Sequence, residues 1–296
     1  MKTVLDNRKK AIIWMVINCF FGTLVNVLVK YLCSDIPVPQ IVASYNAGCF
    51  VIVSIIMLIL GISPKSPKIK LHLLRGFLCS SAFLIYFSAL KSIAIANAVA
   101  ITFIDPMLTC IFAYIFLRDK IEKENIIGLI AGFIGALLII KPGTGLFKAE
   151  SMIILISTVL WALSNVVMKL LTQSEHSLVQ IFYMSLTTAL VSSSAFHFFA
   201  ESAVALSGYS LLFIILTSIS VLLHYFAIYK AFSLANASEV MPFFFMNIIF
   251  SEIFGSLLFG EKHDLYEMLG IGVIILTNIF LLINSRKKVQ PVKTVT

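Results

Sequence analysis

The sequence carries the same unit twice. Asn26-Val27-Leu28-Val29-Lys30 returns 139 positions later as Asn165-Val166-Val167-Met168-Lys169. At the same offset Tyr86-Phe87 matches Tyr225-Phe226, Lys91 matches Lys230, and Ala96-Asn97-Ala98 matches Ala235-Asn236-Ala237. Toward the end the offset grows to 142, where Gly128 pairs with Gly270. Each copy contains five apolar stretches, near residues 11–30, 40–60, 72–90, 93–117 and 125–140, then 151–169, 178–198, 209–229, 240–259 and 265–283. Each is long enough to cross a bilayer as a helix. A unit that crosses an odd number of times leaves its duplicate upside down, which is how many secondary transporters are built. The sequence therefore predicts an all-α integral membrane protein of ten transmembrane helices, arranged as two inverted five-helix repeats. The repeats are expected at 1–145 and 146–296, within one transport domain, because neither half buries its polar face alone.

Hydropathy excludes a soluble alternative. Apolar residues are 60% of the chain and charged residues 12%, with a mean hydropathy of +1.02, which leaves too little polar surface for a globule of this size. The net charge of +8 does not mark a nucleic-acid surface, because the basic residues sit in the tails and in alternate connections rather than on one face. With both termini cytoplasmic, 17 of the 22 Lys and Arg residues fall on the inner side, Arg75 and Lys169 among them; Lys30, Lys91, Lys141, Lys148 and Lys262 fall outside. That bias follows the positive-inside rule. The first apolar run is about as long as a full span and has no Ala-x-Ala-like exit, so it is expected to remain as the first helix. The five cysteines show no CxxC spacing, and packing is their expected role.

Polar groups within the apolar stretches need a reason to be there. An acid at the bilayer centre costs roughly 3 kcal/mol on insertion scales, so it faces a cavity or a partner and is a functional candidate by default. Asp105 is the clearest case. Its repeat mate, allowing for the shift, is Asn247, and the two are expected to face each other across the pseudo-twofold axis. Glu252 lies deep in the ninth stretch, and Glu239 lies nearer its cytoplasmic entrance. A carboxyl group held away from water is able to carry a proton through a transport cycle, which permits proton coupling without requiring it. Asn26 and Asn165 stand at matching depth in the first and sixth stretches, as cavity lining or as interhelical hydrogen-bond donors. Tyr86 and Tyr225 are repeat-related candidates for the cavity wall. His224 reads as a satisfied interior histidine.

Two prolines bear on the same region. Pro106, beside Asp105, and Pro242, near Glu239, each remove a backbone donor inside an apolar helix, giving either a packing kink or a broken helix near a midplane site. Gly128, Ala131, Gly132 and Gly135 form a smooth stripe on the fifth helix, suited to close helix contact. Enzyme signatures are missing: the sequence has no HExxH, GxSxG or GxxxxGK[ST] and no metal-spaced Cys/His cluster. No cofactor is expected, and no ATPase module is present to power transport.

The stretches ALKSIAIANAVAITFIDPMLTCIFAYIFLRD (89–119) and IYKAFSLANASEVMPFFFMNIIFSEIFGSLLFGE (228–261) give each half a small-residue turn, a long helix and an acidic end. The chain resembles the EamA-type drug/metabolite transporter superfamily over nearly its whole length. The resemblance places Asp119 and Glu261 at the family's helix-ending acid. It implies a substrate cavity between the halves, lined by spans one, three, four, six, eight and nine, with five and ten peripheral. It also implies a multi-pass protein of the bacterial inner membrane. Through VKYL (29–32), HLLRG (72–76) and KAFS (230–233) the chain is most similar to the S-adenosylmethionine uptake carriers of obligate intracellular bacteria. A sulfonium and ammonium ligand suits intramembrane acids and tyrosine faces. Amino acids, polyamines and cationic drugs suit them too, with export the alternative direction and a non-transporting membrane enzyme or scaffold the remote alternative. The expected partners are a small-molecule metabolite and the lipid bilayer; oligomeric state is not specified by the sequence.

Overall fold

The computed structural model describes residues 2–89, 95–142, 149–199, 204–260 and 264–287. Lys91, Lys148, Glu261, Lys262, Lys288 and Lys293 lie outside these residues, as do the side chains of Lys2, Phe87, Ala96, Asn97, Arg286 and Lys287. Within them the chain is helical: α1 (Lys2–Leu32), α2 (Val38–Ile59), α3 (Ile69–Ala89), α4 (Ile95–Thr102), α5 (Asp105–Leu117), α6 (Lys123–Ile140), α7 (Ala149–Thr172), α8 (Ser177–Phe199), α9 (Gly208–Leu234), α10 (Ala237–Val240), α11 (Met246–Phe259) and α12 (Leu265–Lys287). Ten stretches of the described residues are long and apolar enough to span a bilayer, from Asn7–Leu32 to Leu265–Asn284. The ten expected from the sequence are therefore present. Leu58, Ile59, Ile115, Phe116, Leu190, Leu257 and Leu276 are all at least 58% exposed, the outer face that lipid covers in a membrane protein.

Helices pack chiefly across the repeat boundary. α1 lies against α9 and α3 against α7, two contacts that are equivalent by the repeat; α2 pairs with α8, and α6 with α12. α5 meets α7, as its repeat mate α11 meets α1. Each half thus supplies the partner surfaces of the other, the physical reason for one interlocked bundle instead of two separable ones.

Small residues set the closest approaches. A Cβ on Gly128 would stand 2.6 Å from Leu281 Cδ1, one on Gly132 2.4 Å from Phe245 Cδ2, and one on Gly270 2.6 Å from the Gly135 carbonyl. The stripe foreseen on the fifth helix is the seam against α12 and the segment after α10, where bare backbone lets dispersion contacts form. One end of the α6–α12 pair is tied by Lys141, whose ammonium donates to Asp264 and, at 2.9 Å, to Glu267. That hydrogen bond holds the Asp264 carboxyl below its usual range.

The spans that carry Pro106 and Pro242 are both broken. α4 ends at Thr102 and α5 starts at Asp105, with Pro106 in the first turn, where its missing N–H removes nothing from the helix. The ninth span is divided further, into the single turn α10, a 3-10 segment Met241–Phe245, and α11. At the 139-residue offset the first break, Phe103 and Ile104, falls on Pro242 and Phe243, so the interruptions are repeat-related although the prolines are not.

Candidate functional site

Asp105 is the first residue of α5 and is 7% exposed. Its carboxylate accepts from Asn165 Nδ2 at 3.2 and 3.3 Å and from Thr109 Oγ1, one turn along α5, at 3.2 Å. Asn165 Nδ2 also lies 3.3 Å from Thr109 Oγ1. Breaking the span before Asp105 leaves its carboxyl at a helix N-terminus, where backbone donors and the helix dipole favour negative charge. The acid is therefore held at the contact between the two repeats by neutral groups.

Asn247, the amide expected opposite Asp105, hydrogen-bonds toward α1. It stands in the first turn of α11: Thr23 Oγ1 is 3.2 Å from its carbonyl oxygen and 3.4 Å from Oδ1, while its Nδ2 donates to Phe244 O at 3.0 Å. The hydrogen-bond partner of Asp105 is Asn165 of the sixth span, and that of Asn247 is Thr23 of the first. The repeat explains the two sets of partners, since the fourth span packs on the sixth as the ninth packs on the first. Asn26, the repeat mate of Asn165, is exposed one turn beyond Thr23 on the same side of α1. Gly22 brings α1 close here: a Cβ there would stand 2.9 Å from His224 Nδ1 and 3.4 Å from Asn247 Oδ1.

The two repeat-related tyrosines are both half-buried. Tyr86 meets the Trp161 ring at 5.4 Å between centroids, and Tyr225 lies parallel to Tyr229 at 6.2 Å. Both face helices of the bundle interior, Tyr86 across the α3–α7 contact. Glu252 is half-buried midway along α11. His224 shares hydrogen bonds with Asn18, whose Nδ2 stands 2.9 Å from His224 Nδ1 and 3.0 Å from its carbonyl, a satisfied interior histidine as expected. Glu239 caps the Asn236 backbone N–H at 2.9 Å and pairs with Arg8 at 3.3 Å, a structural arrangement at the helix start. All five cysteines are unpaired.

Two basic residues counted on the cytoplasmic side have buried side chains. Lys169 is 7% exposed, and its ammonium donates to the carbonyl oxygens of Phe232, at 2.6 Å, and Ala235, closing the C-terminal end of α9 where carbonyls lack helical partners. Arg75 is 5% exposed on α3. Its Nη1 donates to Tyr229 Oη at 2.5 Å and its guanidinium lies 4.6 Å from the centre of the same ring. Ser164, the neighbour of Asn165, donates to the Arg75 carbonyl at 3.2 Å. Gly76 lets α3 lie close to α8, because a Cβ there would stand 2.0 Å from Thr187 Oγ1. His72, one turn earlier, stacks on Tyr183 at 4.8 Å and pairs with Glu175 at 3.6 Å. Arg75 was legible in one respect: the third apolar stretch, 72–90, already contains it, as does the span Ile69–Tyr86.

A ten-helix bundle of two interlocked repeats, with a polar cluster and a broken helix at their contact, defines a membrane carrier of the inverted-repeat class. Two segments of the chain, residues 9–141 and 149–283, match the EamA-like transporter family, and the chain belongs to that family. Among its relatives, the S-adenosylmethionine uptake transporter of Rickettsia bellii is 27% identical over 75% of this chain and 76% of that protein. The riboflavin transporter of Brucella anthropi is 25% identical over 90% and 96% of the two chains, and the pseudopaline exporter CntI of Pseudomonas aeruginosa 25% identical over 96% and 99%. A solved crystal structure at 14% identity shares the fold with a TM-score of 0.81 over 95% of this chain and 99% of its own. The protein is thus a multi-pass membrane transporter of a small molecule.

Proposed function

We propose that the chain is a secondary carrier of the bacterial inner membrane, with both termini cytoplasmic, that takes up S-adenosylmethionine by alternating exposure of a site at the contact between its repeats. The observation that carries this reading is Asp105: a carboxylate buried at a helix break, hydrogen-bonded by Asn165 and Thr109 and, among the described residues, by no cation. A buried carboxylate without a counter-ion favours a cationic ligand. Sulfonium and ammonium groups meet that requirement, and the half-buried faces of Tyr86 and Tyr225 suit the same charge. Asn26, Asn247 and Glu252 complete the proposed substrate-facing set. The relatives named for S-adenosylmethionine uptake support the substrate, while those named for riboflavin and for pseudopaline export show that this family serves other substrates and both directions.

The test is uptake of labelled S-adenosylmethionine by bacterial cells expressing the chain, against an empty vector and with excess S-adenosylhomocysteine as competitor. Saturable uptake above vector, reduced by the competitor, is expected. Uptake at vector level, with the protein shown to be in the membrane, refutes the substrate and turns attention to export of amino acids or amphipathic amines.

A further inference from the structure

We propose that Arg75 and Asp105 are the two poles of one binding site for a zwitterionic α-amino acid group, Arg75 receiving the carboxylate and Asp105 the ammonium. The inference deepens the carrier reading above and rests on it for the role of Asp105. Both side chains are more than nine-tenths buried inside spans, and they have opposite charges, yet neither is neutralised. Among the described residues no carboxylate lies within ion-pair distance of Arg75 and no cation within that of Asp105. Glu175, the acid near this end of α3, stands against His72. Arg75 spends Nη1 on a tyrosine hydroxyl, and its Nε has no partner.

A bundle that brings an acid and a guanidinium into its interior gains most by pairing them with each other, since a lone buried charge is costly. Here adjacent residues of one helix reach both: Ser164 binds the Arg75 backbone and Asn165 binds the Asp105 carboxylate, so α3 and α5 carry the two poles at one level of α7. A ligand bearing both charges neutralises both residues at once. The planar guanidinium, braced on the Tyr229 ring and with Nε still open, offers donors in the geometry a carboxylate takes. Tyr225, stacked on Tyr229, extends the aromatic wall beside the cation.

The arrangement predicts that the ligand's carboxylate matters as much as its positive charge. Thermal stabilisation of the purified, detergent-solubilised protein is measured against concentration for S-adenosylmethionine, L-methionine, and the decarboxylated counterpart of each. A zwitterion is expected to bind at least about tenfold more tightly than its amine, the scale of losing one partner of a buried charge pair. Arg75→Gln should abolish that preference while leaving amine binding in place. If Arg75→Gln yields no folded protein, Arg75→Lys, which keeps the charge without the planar fork, should narrow the preference. The proposal is overturned if the wild-type protein binds amine and zwitterion within about twofold, if a folded Arg75 variant keeps the full preference, or if none of the four compounds stabilises it. Methionine discriminated from its amine while S-adenosylmethionine fails to bind supports the site and refutes the S-adenosylmethionine reading, so the two fail separately.

Discussion

Asp119 shows how an acid in this chain is used for structure alone. It follows the end of α5, and its Oδ2 accepts the backbone N–H of Ala237, the first residue of α10, at 3.0 Å; beside it the Lys120 carbonyl accepts from Ser238 Oγ at 2.9 Å. The four-residue α10 cannot hold itself, since a single turn gives too few internal bonds for the dihedrals it fixes. Asp119→Ala removes a cap from across the repeat boundary and is expected to cost about 1 kcal/mol, seen as a lower melting temperature. Transport per folded molecule should persist, and a folded Asp119→Ala protein that no longer transports would contradict the structural role. Asp105 and Asn165 were legible as candidates because polar side chains in apolar stretches are conspicuous. Their hydrogen bond to each other was not, because sequence depth does not say which helix of the other half lies alongside. The burial of Arg75 and Lys169 was not legible for a related reason: a long basic side chain near a span end reads as surface-seeking, whereas tertiary packing gave these two an interior tyrosine and a set of helix-end carbonyls.

At the scale of elements, the glycine seam makes a paired prediction. Gly270 of α12 faces the Gly135 backbone, whereas a Cβ on Gly272, two residues on, would meet nothing within 4 Å. Gly270→Ala should lower stability by roughly 1–3 kcal/mol, as overpacking does when the neighbour is backbone that cannot move aside. Gly272→Ala should leave it unchanged or raise it, because alanine is the better helix former. Melting temperatures of the two variants in one detergent check this; equal losses would mean that the seam is looser than described. The stripe itself was readable from small residues at helical spacing, and so was a break at Pro106. The 3-10 stretch from Met241 to Phe245 was not, since Pro242 accounts for only one lost donor and the packing of Phe245 beside Gly132 is a tertiary contact.

For the whole molecule, five spans per repeat and ten in all put the two termini on the same side, and the positive-inside rule predicts that this side is the cytoplasm. Reporter fusions that fluoresce only in the cytoplasm should be bright at both ends and dark when placed after Lys141; a dark reporter at either terminus contradicts the arrangement. The gross architecture was legible because repeat, span count and charge bias are independent and agree. The interlocking of the halves was not, because it lies in which faces meet, and those faces are nearly all apolar. In the proposed cycle the contact between the repeats offers one charged side chain to either side of the membrane in turn. The most direct measurement is initial-rate uptake of S-adenosylmethionine into proteoliposomes containing wild-type protein or Asp105→Asn. Asparagine keeps an oxygen to accept from Asn165 and Thr109 but removes the charge, so the variant should retain its melting temperature and lose at least about tenfold in rate, in line with truncating a buried charge pair. A wild-type rate in the folded variant would show that Asp105 does not hold the substrate.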